Sequence, residues 1–231
     1  MKFSVAMCTY NGAAYLREQL ESIAAQTRTP DELVVCDDDS RDATARIIRG
    51  FAGRAPFPVR LHINARNIGS TKNFEQAIHL CAGDLIALSD QDDVWEASKL
   101  ARCEAIFAAS PDVGLVFSDA ALVSESLQPL GSLVWESVGF DKGKRKLVAQ
   151  GRALEVLLPG WTVTGATMAL RARFRELALP IPTDLPLLHD GWIALVVATV
   201  ACVSCVEEPL VKYRQHVWQQ VGAPEKKSAD E

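Results

Sequence analysis

Short unbroken apolar runs alternate along this chain with stretches in which apolar residues recur every three or four positions. The runs FSVAMC (3–8), ELVVC (32–36), DLIALS (84–89) and VGLVFSDAALV (113–123) predict strands, and FPVRLHI (57–63) alternates as a strand does. Between them, 13–26 carries Leu16, Leu20 and Ile23 at helical spacing. The segments 41–53, 70–83 and 96–110 also predict helices. The first of these ends near Gly50 or Gly53, and the second has Ser70 as a candidate N-cap and Gly83 as its stop. A βαβα order whose strands are mostly apolar rather than alternating predicts an α/β fold: a mostly parallel, mixed sheet covered by helices on both faces.

The second half has less rhythm. Residues 124–151 show little periodicity and read as a long loop, which in a compact domain is functional or disordered. A short helix near 152–158 follows, then a strand-like 161–171, a Pro-rich stretch at 180–186, a helix near 190–201, and strands near 202–206 and 209–214. We divide the chain into a first half (1–120), a second half (121–222) and a polar tail (223–231) expected to be disordered.

Composition narrows the class. With 231 residues, 48% hydrophobic and 23% charged, the chain can bury one sizeable core. A net charge of −5 argues against nucleic acid as a partner. The apolar run 192–206 is too short to span a bilayer, and the N-terminus lacks the features of a signal peptide. A cytoplasmic location is the expectation. Six cysteines are scattered mostly within apolar runs, as buried free thiols are. Cys202 and Cys205 lack a second pair or a flanking His at zinc spacing.

Charge placement is the informative feature. Two acidic clusters terminate two apolar strands: Asp37, Asp38, Asp39 and Asp42 after the second, and Asp90, Asp92 and Asp93 after the fourth. Two carboxylates ~5 Å apart repel by about 3 kcal/mol at an effective dielectric of ~20. In open α/β sheets ligands bind beyond the carboxyl ends of strands, so both clusters fall on the binding edge. Oxygen ligands there suit Mg²⁺ or Mn²⁺, which would cancel the repulsion and in turn hold a diphosphate. The plainer reading is a solvated loop, and for Asp93 a cap on the following helix.

The ordered segments SVAMCTYNGAAYLREQLESIAAQT, VVCDDDS, NARNIGSTKNFEQAI, LSDQDDVW, TGATMAL, HDGWIAL and YRQH resemble the family 2 glycosyltransferases, in particular a bacterial rhamnosyltransferase-like branch, over about residues 2–216. The resemblance implies a GT-A fold and inverting transfer from a nucleoside-diphosphate sugar to an acceptor hydroxyl. It implies Thr9, Tyr10 and Asn11 in a nucleoside pocket and Asp38 reading the base, which favours UDP or dTDP sugars. It assigns Asp90 and Asp92 to the sugar, ribose and metal, Asp190 to general base, and His216 to the metal or diphosphate. Trp161, Thr164 and Gly165 match the acceptor-side segment. The expected acceptor is a cell-surface glycan or its lipid-linked precursor.

Several residues keep a second reading. Asp190 also suits a helix N-cap, His189 a supporting or surface position, and Trp161 a packed core aromatic. Lys72 and Arg66 flank the third strand–helix turn, where they could meet the diphosphate or stand solvated. The basic cluster 141–146 is a solvated loop or a contact with an anionic membrane surface. Asp39 stands where the family usually has Gly, and Val217, Trp218 and Gln219 replace its usual small and amide residues. Two rivals remain: a binding module without transfer, and a haloacid-dehalogenase-like phosphatase, whose strand-then-D-x-D opening 85–94 resembles.

Overall fold

The computed structural model describes residues 1–160, 162–219 and 222; Trp161 and the tail 223–231, both subjects of sequence expectations, lie outside the described residues. The chain runs β1 (Phe3–Thr9), α1 (Leu16–Ala24), β2 (Glu32–Asp37), α2 (Thr44–Ala52), β3 (Val59–Ile63), α3 (Ser70–Leu80), β4 (Leu85–Ser89), β5 (Val94–Trp95) and α4 (Lys99–Ala109). It continues with β6 (Val113–Val123), β7 (Pro129–Leu133), α5 (Val134–Ser137), α6 (Lys142–Ala149), α7 (Ala153–Leu157), β8 (Met168–Arg171), α8 (Arg175–Ala178), α9 (His189–Ala198) and β9 (Cys202–Arg214).

Among the described residues, nine strands form one sheet in the order β3-β2-β1-β4-β8-β6-β9-β5, with β7 paired to the end of β6. The β3-β2-β1-β4 half is parallel. Beyond it β8 runs antiparallel to both β4 and β6, while β9 runs parallel to β6. Successive side chains on each strand point to opposite faces, and both faces are covered. Ala6, Val34, Ile86, Leu115 and Met168 share a core with α3, α7 and α9. Val5, Leu33, Leu85, Val116 and Ala169 share the other with α1, α2 and α4. Burial on both sides is why these strands lack a polar alternation.

The segment 124–151 is not a loop. Its Leu133 and Pro129 pair with Ala121 and Val123 of β6. Asp141 caps α6 by accepting from the Lys144 N–H at 2.9 Å. Trp135 and Phe140 anchor it in the core, their rings 5.7 and 5.4 Å from Phe117 and 4.7 Å from each other. Elements this short, held by two aromatics, leave no periodic trace. The two strands expected at 202–206 and 209–214 are one, β9, which bulges where Val206 pairs with Ser118 and Pro209 with Asp119.

Helix α3 is capped by Gly69 at φ 83°, not by Ser70, and its C-cap is Cys81, not Gly83. Gly83 has a different task. A Cβ there would sit 2.7 Å from Ser4 Oγ, so the bare backbone lets the turn into β4 pass close against β1.

Candidate active site

The carboxyl ends of β1, β2 and β4 open into a cavity of about 750 Å³. Thr9 and Tyr10 follow β1 into it, Asp38 follows β2, and Asp90 to Asp92 follow β4. Thr164, Gly165 and Asp190 reach it from the second half of the chain, joined by Val134, Val138, Val163 and Leu188.

Three local devices build the wall at the β1 and β2 ends. Asn11 and Asp39 take the left-handed conformation, at φ 47° and 62°, which Asn and Asp tolerate better than most residues. Asp39 thus replaces glycine without losing the turn. Asn11 Oδ1 accepts from the Arg41 N–H and its own N–H donates to Ser40 Oγ, each at 2.8 Å, so the β1 and β2 turns lock together. Asp38 is buried and accepts from Asn64 Nδ2 and from the N–H groups of Ile68 and Gly69, at 2.8–2.9 Å. It ties β2 to the turn before α3 and lines the cavity from that position. Lys72 does not join them: Nζ pairs with Glu75 at 2.8 Å and donates to the Ile181 carbonyl at 2.8 Å, outside the cavity lining.

Gln91, between the two aspartates, had no sequence signal. Its amide accepts from the Tyr10 N–H at 2.8 Å and donates to the Tyr10 carbonyl at 3.0 Å. A Cβ on Gly12 would fall 2.1 Å from Gln91 Oε1, so glycine there gives the amide its room. The Asp90–Asp93 turn is therefore fastened to β1 on one side. On the other it enters β5, which pairs with Val211 and Lys212 of β9.

That pairing carries the chain past Arg214 to His216, whose Nε2 lies 2.8 Å from Asp92 Oδ2. Gln219, one of the departures from the family pattern, accepts from the His216 N–H at 3.1 Å and donates to the Arg214 carbonyl. The turn therefore still delivers the imidazole. Asp93 does not cap α4, whose N-cap is Ser98. It is buried, with Oδ1 accepting from the Arg214 N–H at 3.1 Å and Oδ2 unpartnered among the described residues.

Charge is concentrated here. Burial, followed by the negative charges of Asp92 and Asp190, pushes Asp90 up to about 8. Burial, followed by the negative charges of Asp92 and Asp90, also pushes Asp93 upward. Beneath the turn Lys99 is buried with Nζ 3.8 Å from the Trp95 ring centre, and burial draws it down to about 8. Burial, reinforced by the surrounding carboxylates, raises Tyr213 as well.

Asp190 lies in the first turn of α9, and the N-cap is Leu188 rather than Asp190. Its Oδ2 accepts from the Gly165 N–H at 2.9 Å and Oδ1 from the Gly191 N–H at 2.7 Å. The two bonds fix the orientation of the carboxyl group at the start of α9. His189 is not on the surface: it is buried and stacked on Phe74 at 4.0 Å.

Among the described residues, no three His, Cys, Asp or Glu side chains gather tightly enough to cage a cation. Mg²⁺ and Mn²⁺ bind instead through one or two protein groups together with substrate phosphates. Asp92 and His216 converge beside a cavity that can admit a diphosphate, and Asp90 adds a hard oxygen donor. The residues fit a shared site of that kind.

The sheet order and the cavity at the strand ends define a GT-A glycosyltransferase fold. A sequence model described as "Glycosyl transferase family 2" matches residues 4–157, and the chain belongs to that family. That membership closes the phosphatase reading. Among its relatives, an uncharacterized glycosyltransferase, alr2836, of Nostoc sp. is 27% identical over 94% of this chain and 65% of its own length. The dTDP-rhamnosyl transferase RfbG of Shigella flexneri is 28% identical, over 94% of this chain and 74% of that one. Among solved structures, S. aureus TarS 1–349 in complex with UDP-GlcNAc superposes with TM-score 0.74 at 20% identity, over 95% of this chain and 60% of its own. The mannosyltransferase PcManGT from Pyrobaculum calidifontis, in complex with GDP-Man and Mn²⁺, gives 0.71 at 22% identity, over 95% and 58%. The chain thus spans somewhat under two thirds of several of these proteins. No helix among the described residues is long and apolar enough to cross a membrane.

Proposed function

We propose that this chain is an inverting, metal-dependent glycosyltransferase that moves a sugar from a nucleoside-diphosphate donor to a hydroxyl of a cell-surface glycan or its lipid-linked precursor. One observation carries the reading. A single cavity joins a nucleoside-sized wall at the β1 and β2 ends, the Asp90–Asp92 turn, and an aspartate on an element from the other half of the chain. The first half, 1–120, holds the donor; the second, 121–222, presents the base and the acceptor surface.

Thr9, Tyr10, Asn11 and Asp38 bound the base and ribose, with Asp90 toward the ribose or sugar. Asp92 and His216, with Asp90, would hold Mg²⁺ or Mn²⁺, which when bound neutralises the charge growing on the leaving diphosphate. Asp190 takes the acceptor proton. The acceptor oxygen forms its bond to the anomeric carbon as the anomeric carbon–diphosphate oxygen bond breaks on the opposite face, so the configuration inverts. The Gly165 and Gly191 amides keep Asp190 aimed while it is ionised. Thr164 and Gly165 border the acceptor, with Val134, Val138, Val163 and Leu188 offering apolar contact.

A UDP or dTDP sugar is the donor class, and the RfbG relationship makes dTDP-rhamnose the first to try. The complexes named for TarS and PcManGT support a nucleotide sugar, and the latter a divalent cation. On this reading the chain would act in the cytoplasm, at the inner membrane face. There Lys142, Lys144 and Lys146 of α6 would meet anionic lipid, a contact tested by vesicle sedimentation in low and high salt. The decisive experiment incubates the chain with UDP, dTDP and GDP sugars, with and without Mn²⁺, and an acceptor panel. It scores nucleoside diphosphate release and the anomeric configuration of the product. Transfer with retention overturns the mechanism, and donor binding without transfer to any acceptor favours the inactive binding module.

A further inference from the structure

Among the described residues Arg214 is the largest fully buried side chain, and nothing in the reaction above requires it. An unpaired guanidinium would be costly in that position, yet each nitrogen of this one donates a hydrogen bond. Nε donates to the Asp92 carbonyl at 2.6 Å. One Nη donates to the Glu125 carbonyl and the other to the Glu18 carboxylate. The backbone N–H donates to Asp93 Oδ1. One side chain at the end of β9 therefore gathers α1, the β6–β7 turn and the Asp90–Asp93 turn.

Tyr15 completes the arrangement. Its ring lies against both the Arg214 guanidinium, 4.7 Å from the ring centre, and the His216 ring, 4.6 Å away. Its hydroxyl donates to Glu125 Oε1 at 2.6 Å. Asp92 is thus gripped through its backbone and His216 is buttressed across its ring. These are the two groups that meet at 2.8 Å beside the cavity.

We propose that Arg214, acting with Tyr15, is a positioning residue that holds Asp92 and His216 as a preformed half of the divalent-cation site. The inference rests on the metal-dependent reading above. A lysine keeps the charge but offers no planar fork, so it cannot span three acceptors on three elements. Partners that orient metal ligands typically contribute 10–100-fold in metal affinity.

The test titrates Mn²⁺ into wild type, R214K and Y15L with saturating UDP, and separately dTDP, following free Mn²⁺ by electron paramagnetic resonance. Calorimetry of the same nucleotides in EDTA serves as the second readout. R214K is expected to weaken Mn²⁺ binding by roughly 10–100-fold, and Y15L by about 10-fold, while metal-free nucleotide affinity stays within about twofold. A general loss of structure would move both readouts together. Wild-type Mn²⁺ affinity in R214K overturns the inference alone; should R214K fail to fold, unchanged affinity in Y15L does so. A wild-type chain that binds nucleotide but no Mn²⁺ overturns the metal reading and this inference with it.

Discussion

Replacing Asp90 with Asn should stabilise the cation-free protein, and the gain should grow with pH. The Asp90 carboxyl titrates near 3.8 when unfolded and at about 8 in the fold, where burial and the charges of Asp92 and Asp190 oppose its ionisation. Between those values the folded chain holds a proton that the unfolded chain has lost. Stability therefore falls as pH rises through that window and levels off above the folded value. The slope is about 1.4 kcal/mol per pH unit. From pH ~5 to ~7.5 the wild type should lose about 3 kcal/mol relative to Asp90→Asn, or roughly 6–12 °C in Tm for a chain of this size. Among the described residues the carboxyl group makes no hydrogen bond that the amide would forfeit. The assay is a melting series across pH in EDTA, repeated with Mn²⁺ and UDP or dTDP. In the second series the wild type should recover and the variant should not, because a bound cation needs the charge that the amide lacks. Parallel melting of the two proteins at every pH would refute the argument that the rim is held under repulsion until a cation arrives.

Asp190→Asn should lower transfer by about 10²–10⁴-fold, with nucleoside diphosphate affinity unchanged, since the amide can still accept from the Gly165 N–H. Kinetics and calorimetry on one preparation check both halves. Gly165→Ala should destabilise the fold by about 1–3 kcal/mol, read by denaturant titration, because the new Cβ would lie 2.8 Å from His189 Nε2. Lys72→Ala should leave nucleotide affinity within about twofold and cost at most about 1 kcal/mol of stability, since its partners are Glu75 and Ile181. A tenfold affinity loss would return Lys72 to the diphosphate.

The strands and helices of the first half are legible in the sequence because local physics sets them. Phe3–Thr9, Glu32–Asp37 and Leu85–Ser89 are built on apolar runs and are buried almost throughout, and a strand buried on both faces needs nothing subtler. The acidic clusters after β2 and β4 are equally legible, because strand ends on one edge of a parallel sheet must share a neighbourhood. Tertiary structure decided the rest. Trp135 and Phe140 hold 124–151 against Phe117 through rings distant in sequence, so no local period announces β7 or α6. His216 reaches Asp92 because β9 pairs with β5, a relation between residues 124 positions apart. His189 reads as surface until Phe74 covers it. Arg214 sits at the end of the apolar strand run 209–214, a place where a charge is unexpected. Only the meeting of Glu18, Asp92 and Glu125 there gives that guanidinium its bonds, because hydrogen-bond partners are set by where the chain returns in space and not by the residues beside it.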